Sequence, residues 1–233
     1  MNTSLTTQSK IQQFMIATGM IYSVVQIAAL LFSAICLLPV VGPPDGQLEV
    51  SFKAHAVYAD LFRLANYLML PPVIFFLLFL GGLYTYFDAL VEKAQGISMV
   101  AVLSGTAFVM IWPMGAIISL LGVNMAEQGG DMITATALDA MPPYSLALSC
   151  IPRVAFLVCT SALLTDHKWL ARTGFILAAL SLVGSMTFLA FPFFGVSMAS
   201  TLLFHIWVFC LSFTLRHQQQ KRKLSTQLVE AYN

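Results

Sequence analysis

The chain has 233 residues, 59% hydrophobic and 9% charged, with a net charge of +1 and a mean hydropathy of +0.85. Soluble domains carry about 25% charged residues, so nearly the whole chain is expected in lipid. No polar stretch exceeds about 20 residues, short of the roughly 50 that a small soluble domain needs, and so near-neutral a chain is a poor partner for nucleic acid.

Six segments meet the ~20-residue requirement for crossing a bilayer, which predicts an all-α bundle. The first runs over 14–39. It follows a polar lead holding Lys10 and is about twice as long as a signal-peptide core. Ser33-Ala34-Ile35-Cys36 is similar to a lipoprotein cleavage box, but Ile35 is too large before the cysteine, so an uncleaved span is expected. Gly42-Pro43-Pro44-Asp45-Gly46 then marks a turn. The second segment, 55–87, would exceed about 45 Å as one helix against a core of about 30 Å. It must tilt, kink at Pro71-Pro72 or begin outside the membrane. The third, 97–123, has Pro113 in its middle, and the loop after it carries Glu127, Asp131 and Asp139 without a basic residue. The fourth, 141–164, opens on Pro142-Pro143 and is expected to break again near Pro152-Arg153. The fifth and sixth run over 169–191 and 196–215, and a basic tail, 216–233, follows. No internal repeat is evident, so an inverted-repeat transporter is not indicated.

Lysine and arginine placement sets the expected topology. With the N-terminus inside, inner segments hold Lys10, Lys93, Lys168, Arg172, Arg216, Lys221, Arg222 and Lys223, and the outer loops hold only Lys53. Eight against one puts both termini in the cytoplasm. Attraction to anionic inner-leaflet lipid accounts for the basic tail.

Charged groups inside the spans are the candidates for function, because each costs about 2.5–3.5 kcal/mol at a helix centre. Asp60, Arg63 and Tyr67 share a helix face. They form either a polar pocket opening outward, with Arg63 holding an anionic group, or a self-paired motif anchoring the helix end. Arg153 falls mid-membrane and needs a partner. Asp60 is the only carboxylate placed within a span, so an Asp60–Arg153 contact is expected. The alternative is that Arg153 binds a carboxylate, a phosphate headgroup or a quinone oxygen. His205, in LLFHIWVF, is a hydrogen-bonded core histidine facing a Tyr or Ser, or else a proton-relay group, haem ligand or metal ligand. Haem between helices wants a second histidine at similar depth, and none is evident. Gly174, Ala178, Ser181 and Ser185 line one face of the fifth span, for packing within the bundle or a dimer seam. The four cysteines, Cys36, Cys150, Cys159 and Cys210, lie in apolar runs and read as buried thiols.

No HExxH helix, GxSxG elbow, Walker A loop or dense histidine cluster occurs, and nothing nominates a nucleophile or base pair. The segments AHAVYADLFRLANYL, LTDHKWLARTGFILAALSLVGS and LLFHIWVFCLSFTLRH resemble an uncharacterised bacterial family of six-span integral membrane proteins. The resemblance implies a six-helix bundle in the bacterial inner membrane and supplies no activity, cofactor or catalytic residue. From the residues themselves, the first expectation is a non-enzymatic membrane protein holding a small amphipathic ligand, a lipid or a partner subunit. Its pocket lies between the second, fourth and sixth spans, with Asp60, Arg63, Tyr67, Arg153 and His205 as ligand-binding residues. A small transporter or channel using the same residues is the alternative, and a redox or membrane-enzyme subunit with His205 as a ligand is the third. Homo-oligomer formation stays open.

Overall fold

In hydrocarbon an unpaired backbone N–H or C=O costs several kcal/mol, and a single segment satisfies its own only as a helix. The computed structural model describes residues 2–41, 48–89 and 95–232, with side chains described over 10–35, 52–89 and 95–221. The Gly42–Gly46 turn cluster, Lys93 and the side chains of Cys36, Arg222 and Lys223 lie outside the described residues. The structure is 90% helical, with no strand among the described residues.

Among the described residues ten α-helices follow one another: α1 (Asn2–Val41), α2 (Leu48–Val57), α3 (Ala59–Leu68), α4 (Pro72–Asp88), α5 (Gln95–Ile111), α6 (Met114–Glu127), α7 (Met132–Asp139), α8 (Pro142–Leu163), α9 (Lys168–Ser185) and α10 (Phe194–Tyr232). They supply six stretches long and apolar enough to cross a membrane: Lys10–Ile35, Ala59–Asp88, Gln95–Glu127, Met132–Leu163, Lys168–Phe188 and Phe191–Lys221. The architecture is that of a multi-pass membrane protein.

Proline placement explains where these stretches break. The second stretch is cut before Pro72, which takes the first helical position of α4, where its missing N–H would be unpaired anyway. Pro113 likewise separates α5 from α6, and Pro142 opens α8. Pro152 does not break α8, contrary to expectation: the helix runs unbroken from Pro142 to Leu163, held by packing on α5 and α9. The helix that carries the sixth span continues past 215 through the basic segment as one element. The over-long second segment begins with α2 as a separate element packed on α6 and α7, and its remainder, Ala59–Asp88, is interrupted between α3 and α4.

The spanning helices form a closed ring in chain order. α1 packs on α4, α4 on α5, α5 on α8, α8 on α9 and α9 on α10, and α10 returns to α1. The outer surface is apolar, with Ile74, Leu103, Ile151, Ile176 and Phe213 exposed. Lipid is as apolar as leucine, so the ring gains little from hydrophobic burial and depends on close packing. Small residues permit it. A Cβ on Gly82 would lie 2.9 Å from the Ile16 backbone nitrogen, so α1 and α4 meet at backbone distance. The expected small-residue face of α9 packs inside the bundle: Gly174 abuts Ser161 and Trp207, and Ala178 and Ser181 are buried. At the ring's centre five spans each contribute one aromatic. Tyr22 lies 4.6 Å from Phe76, Phe76 lies 5.8 Å from both Phe108 and Phe156, and Phe108 lies 4.9 Å from Phe204. Tilted and edge-on pairs of this kind contribute about 0.5–1.5 kcal/mol each.

Candidate functional site

The helical period of α8 turns Leu146, Cys150, Arg153, Phe156, Leu157 and Thr160 inward together. Arg153 is therefore aimed at the centre of the ring, with 0% of its surface exposed. Its Nε donates to Ser181 Oγ on α9 at 3.1 Å, one terminal nitrogen donates to Thr201 Oγ1 on α10, and the other donates to Ser200 Oγ at 2.8 Å and Cys150 Sγ at 2.9 Å. The hydroxyls of Ser200 and Thr201 send their own protons back to the Ser197 carbonyl. Their lone pairs are thus left for the guanidinium, whose carbon also stands 5.9 Å from the Phe108 ring centroid and 5.7 Å from that of Phe204.

All these partners are neutral. Among the described residues no carboxylate pairs with Arg153. The expected Asp60–Arg153 contact is not formed. Asp60 lies on α3, beyond the break at Met69–Pro71, and is held by Arg63 at 3.0 Å with its side chain in the open. A charge taken fully from water carries a penalty of several kcal/mol, which hydroxyl bonds and ring faces offset only in part.

Around this cation lie more unsatisfied groups. His205, one residue past Phe204, is wholly buried, and its ring centroid is 5.2 Å from that of Tyr22 and 6.4 Å from that of Trp112. Both His205 nitrogens, the Tyr22 hydroxyl and Trp112 Nε1 are buried without a hydrogen-bond partner. The expected Tyr neighbour of His205 is present, but as a ring contact, not a hydrogen bond. One turn along α1 from Tyr22, buried Gln26 places Nε2 3.0 Å from Met69 Sδ, at the α3–α4 break. Trp112 sits at the other break, between α5 and α6. Two of the interruptions of the spanning stretches, at α3–α4 and at α5–α6, thus border the same buried polar file.

A second polar cluster occupies the end of the bundle built from α2, α3, α6 and α7. Arg63 bonds Asp60, Asn124 Oδ1 at 3.0 Å, and Glu127. Beside it, Asp139 accepts from Ser119 Oγ at 2.8 Å and pairs with His55 Nε2 at 2.9 Å, while Asn66 reaches Ser119 at 3.4 Å. Asp131 caps α7, and hydrogen bonds from the Thr134 hydroxyl and N–H hold its carboxyl below the usual range.

Of the residues nominated from sequence, the structure brings Arg153 and His205 each to within 6 Å of the Phe204 ring, at 5.7 and 5.5 Å. Asp60 and Arg63 belong to the distant cluster, and Tyr67 faces outward on α3, 60% exposed. The five residues expected in one pocket between the second, fourth and sixth spans are therefore not brought together. His55 lies in the acidic cluster, His167 precedes α9, and His217 stacks on Phe213, so none stands beside His205. No group of three or more His, Cys, Asp or Glu suited to a metal ion occurs among the described residues. Sequence reasoning missed Tyr22, Trp112, Ser200, Thr201 and the role of Cys150. A signal existed for part of this: Ser197, Ser200, Thr201, Phe204, His205 and Val208 repeat at three- and four-residue steps, marking one inward face of α10.

Comparison with protein-family models, with curated proteins and with solved structures returned no match.

Proposed function

We propose that the protein is a non-enzymatic membrane protein that holds a small amphipathic ligand at the centre of the ring, with an anionic or carbonyl oxygen directed at the Arg153 region. One observation carries this reading: a fully buried arginine has only neutral partners, and three neighbouring side chains hold four buried polar atoms without partners. An unpaired buried donor costs about 1–3 kcal/mol, and a ligand oxygen would satisfy the Tyr22 hydroxyl, Trp112 Nε1 or a His205 N–H while compensating the guanidinium charge. A carboxylate, a phosphate ester and a quinone carbonyl share that acceptor chemistry, and the aromatic walls suit an apolar tail. The test is mass spectrometry of organic extracts from detergent-purified protein. The wild type is expected to carry a species with such a head group that Arg153→Met lacks; identical extracts from the two proteins would refute the reading.

A transporter is the second reading, favoured by the two helix breaks that border the polar file. Interrupted helices are tolerated at membrane depth where they line a cavity or pathway. Uptake of the extracted species into proteoliposomes would support it, and binding without flux would leave the first reading alone. The charge asymmetry supports a topology with both termini in the cytoplasm.

A further inference from the structure

The turn between α8 and α9 lies at the end of the bundle away from the acidic cluster. There a shallow, open depression of about 290 Å³ lies, lined by Ser161, Thr165, Lys168, Ala171, Arg172 and Phe175 among others. The α9 residues in this wall fall at steps of three and four, so they form one continuous face of its first two turns. Lys168 and Arg172 are exposed on it, and neither makes an ion pair among the described residues. Asp166 stands in the same turn but is not part of the wall. The C-terminal end of α8 and the N-terminal end of α9 meet here, so their opposed dipoles largely offset. The positive character of the depression therefore rests on the two side chains.

The wall also has a buried polar point. Ser161 is 2% exposed, and its hydroxyl, set against Gly174, has no hydrogen-bond partner. Behind the charges, Ala171 and Phe175 are apolar, and Phe175 is exposed toward the lipid-facing surface. The combination is a two-cation rim and an apolar flank continuous with the outer face of a spanning helix, with the Ser161 hydroxyl packed behind the wall against Gly174.

We infer that this depression binds a phosphate group, with Lys168 and Arg172 pairing its charge and Ser161 donating to one of its oxygens. The phosphodiester of an anionic phospholipid is the source that the apolar flank favours, and free phosphate is the other. The site is separate from Arg153 and does not depend on the reading given to that region. Lysine contributes a mobile point charge and arginine a planar fork, a pairing suited to phosphate oxygens presented from the membrane surface.

Native mass spectrometry of the delipidated full chain in detergent tests the inference, with phosphatidylglycerol, phosphatidylcholine and inorganic phosphate as probes. The wild type is expected to retain one phosphatidylglycerol in preference to phosphatidylcholine. Lys168→Gln with Arg172→Gln is expected to lower that retention roughly ten-fold or more. Both side chains are exposed, so the variant should fold, and an unchanged thermal midpoint verifies it. Ser161→Ala, which leaves the surface charge intact, is expected to weaken retention several-fold. If millimolar inorganic phosphate displaces the lipid, the head group alone is recognised and free phosphate is a second ligand; if it does not, the lipid is the ligand. Equal retention of phosphatidylglycerol by the wild type and the double variant would overturn the inference.

Discussion

At the scale of single residues, Arg153 carries the most information because its cost and its supports are separable. Its acceptors on α10 do not need it, since Ser200 and Thr201 keep their bonds to the Ser197 carbonyl whether or not a guanidinium is present. Replacing a buried charge by an apolar side chain of similar length is often neutral or stabilising. Arg153→Met is therefore expected to leave the thermal midpoint in detergent unchanged or raised, with ligand lost. A midpoint lowered by several degrees would instead make Arg153 structural glue between α8, α9 and α10. Sequence reasoning identified Arg153 and His205 because each is anomalous within its own apolar run. It assigned Arg153 the wrong partner, because Asp60 was the only carboxylate placed in a span and nothing local showed that α3 turns away before Pro71. Tyr22 and Trp112 were not legible at all: aromatic residues are ordinary in membrane helices, and their unpaired polar atoms exist only once the ring has closed.

At the scale of elements, prolines and glycines set the geometry. The boundaries at Pro72, Pro113 and Pro142 follow from helix-start chemistry and could be read from the chain, whereas Pro152 shows that packing can hold a helix through a missing donor. The α1–α4 crossing is the sharpest test of close packing. A side chain at Gly82 would meet Met15 Cβ at 2.8 Å and the Ile16 backbone nitrogen at 2.9 Å, and backbone cannot swing aside. Gly82→Val is expected to destabilise the protein by about 1–3 kcal/mol. Gly96→Ala, on α5 with nothing within 4 Å of the new Cβ, is expected to be neutral or slightly stabilising. Thermal unfolding of both variants in one detergent gives the comparison, and equal losses would contradict the backbone-contact account.

At the scale of the whole molecule, the ring has a basic end, with Lys10, Lys168, Arg172, Arg216 and Lys221, and an acidic end around Asp60, Glu127, Asp131 and Asp139. That asymmetry was legible from the sequence because it depends only on which loops carry charge. The order of neighbours around the ring was not, since six apolar helices can close in many ways. The topology has a direct check. In a chain whose native cysteines are replaced, Gln128→Cys should react with a membrane-impermeant maleimide in intact cells, and Gln220→Cys only after lysis. The reverse pattern would invert the assignment. The ring also explains why the candidate site escaped local motifs: its groups come from α1, α5, α8, α9 and α10 and from the α5–α6 break. The measurement that bears most directly on the account is a density map of the protein purified without added lipid, inspected between Arg153, Tyr22, Trp112 and His205. The account predicts a bound molecule there, its head-group oxygen within hydrogen-bond distance of at least one of these side chains. A gap filled by protein alone, with the aromatic groups shifted to satisfy one another, would contradict it.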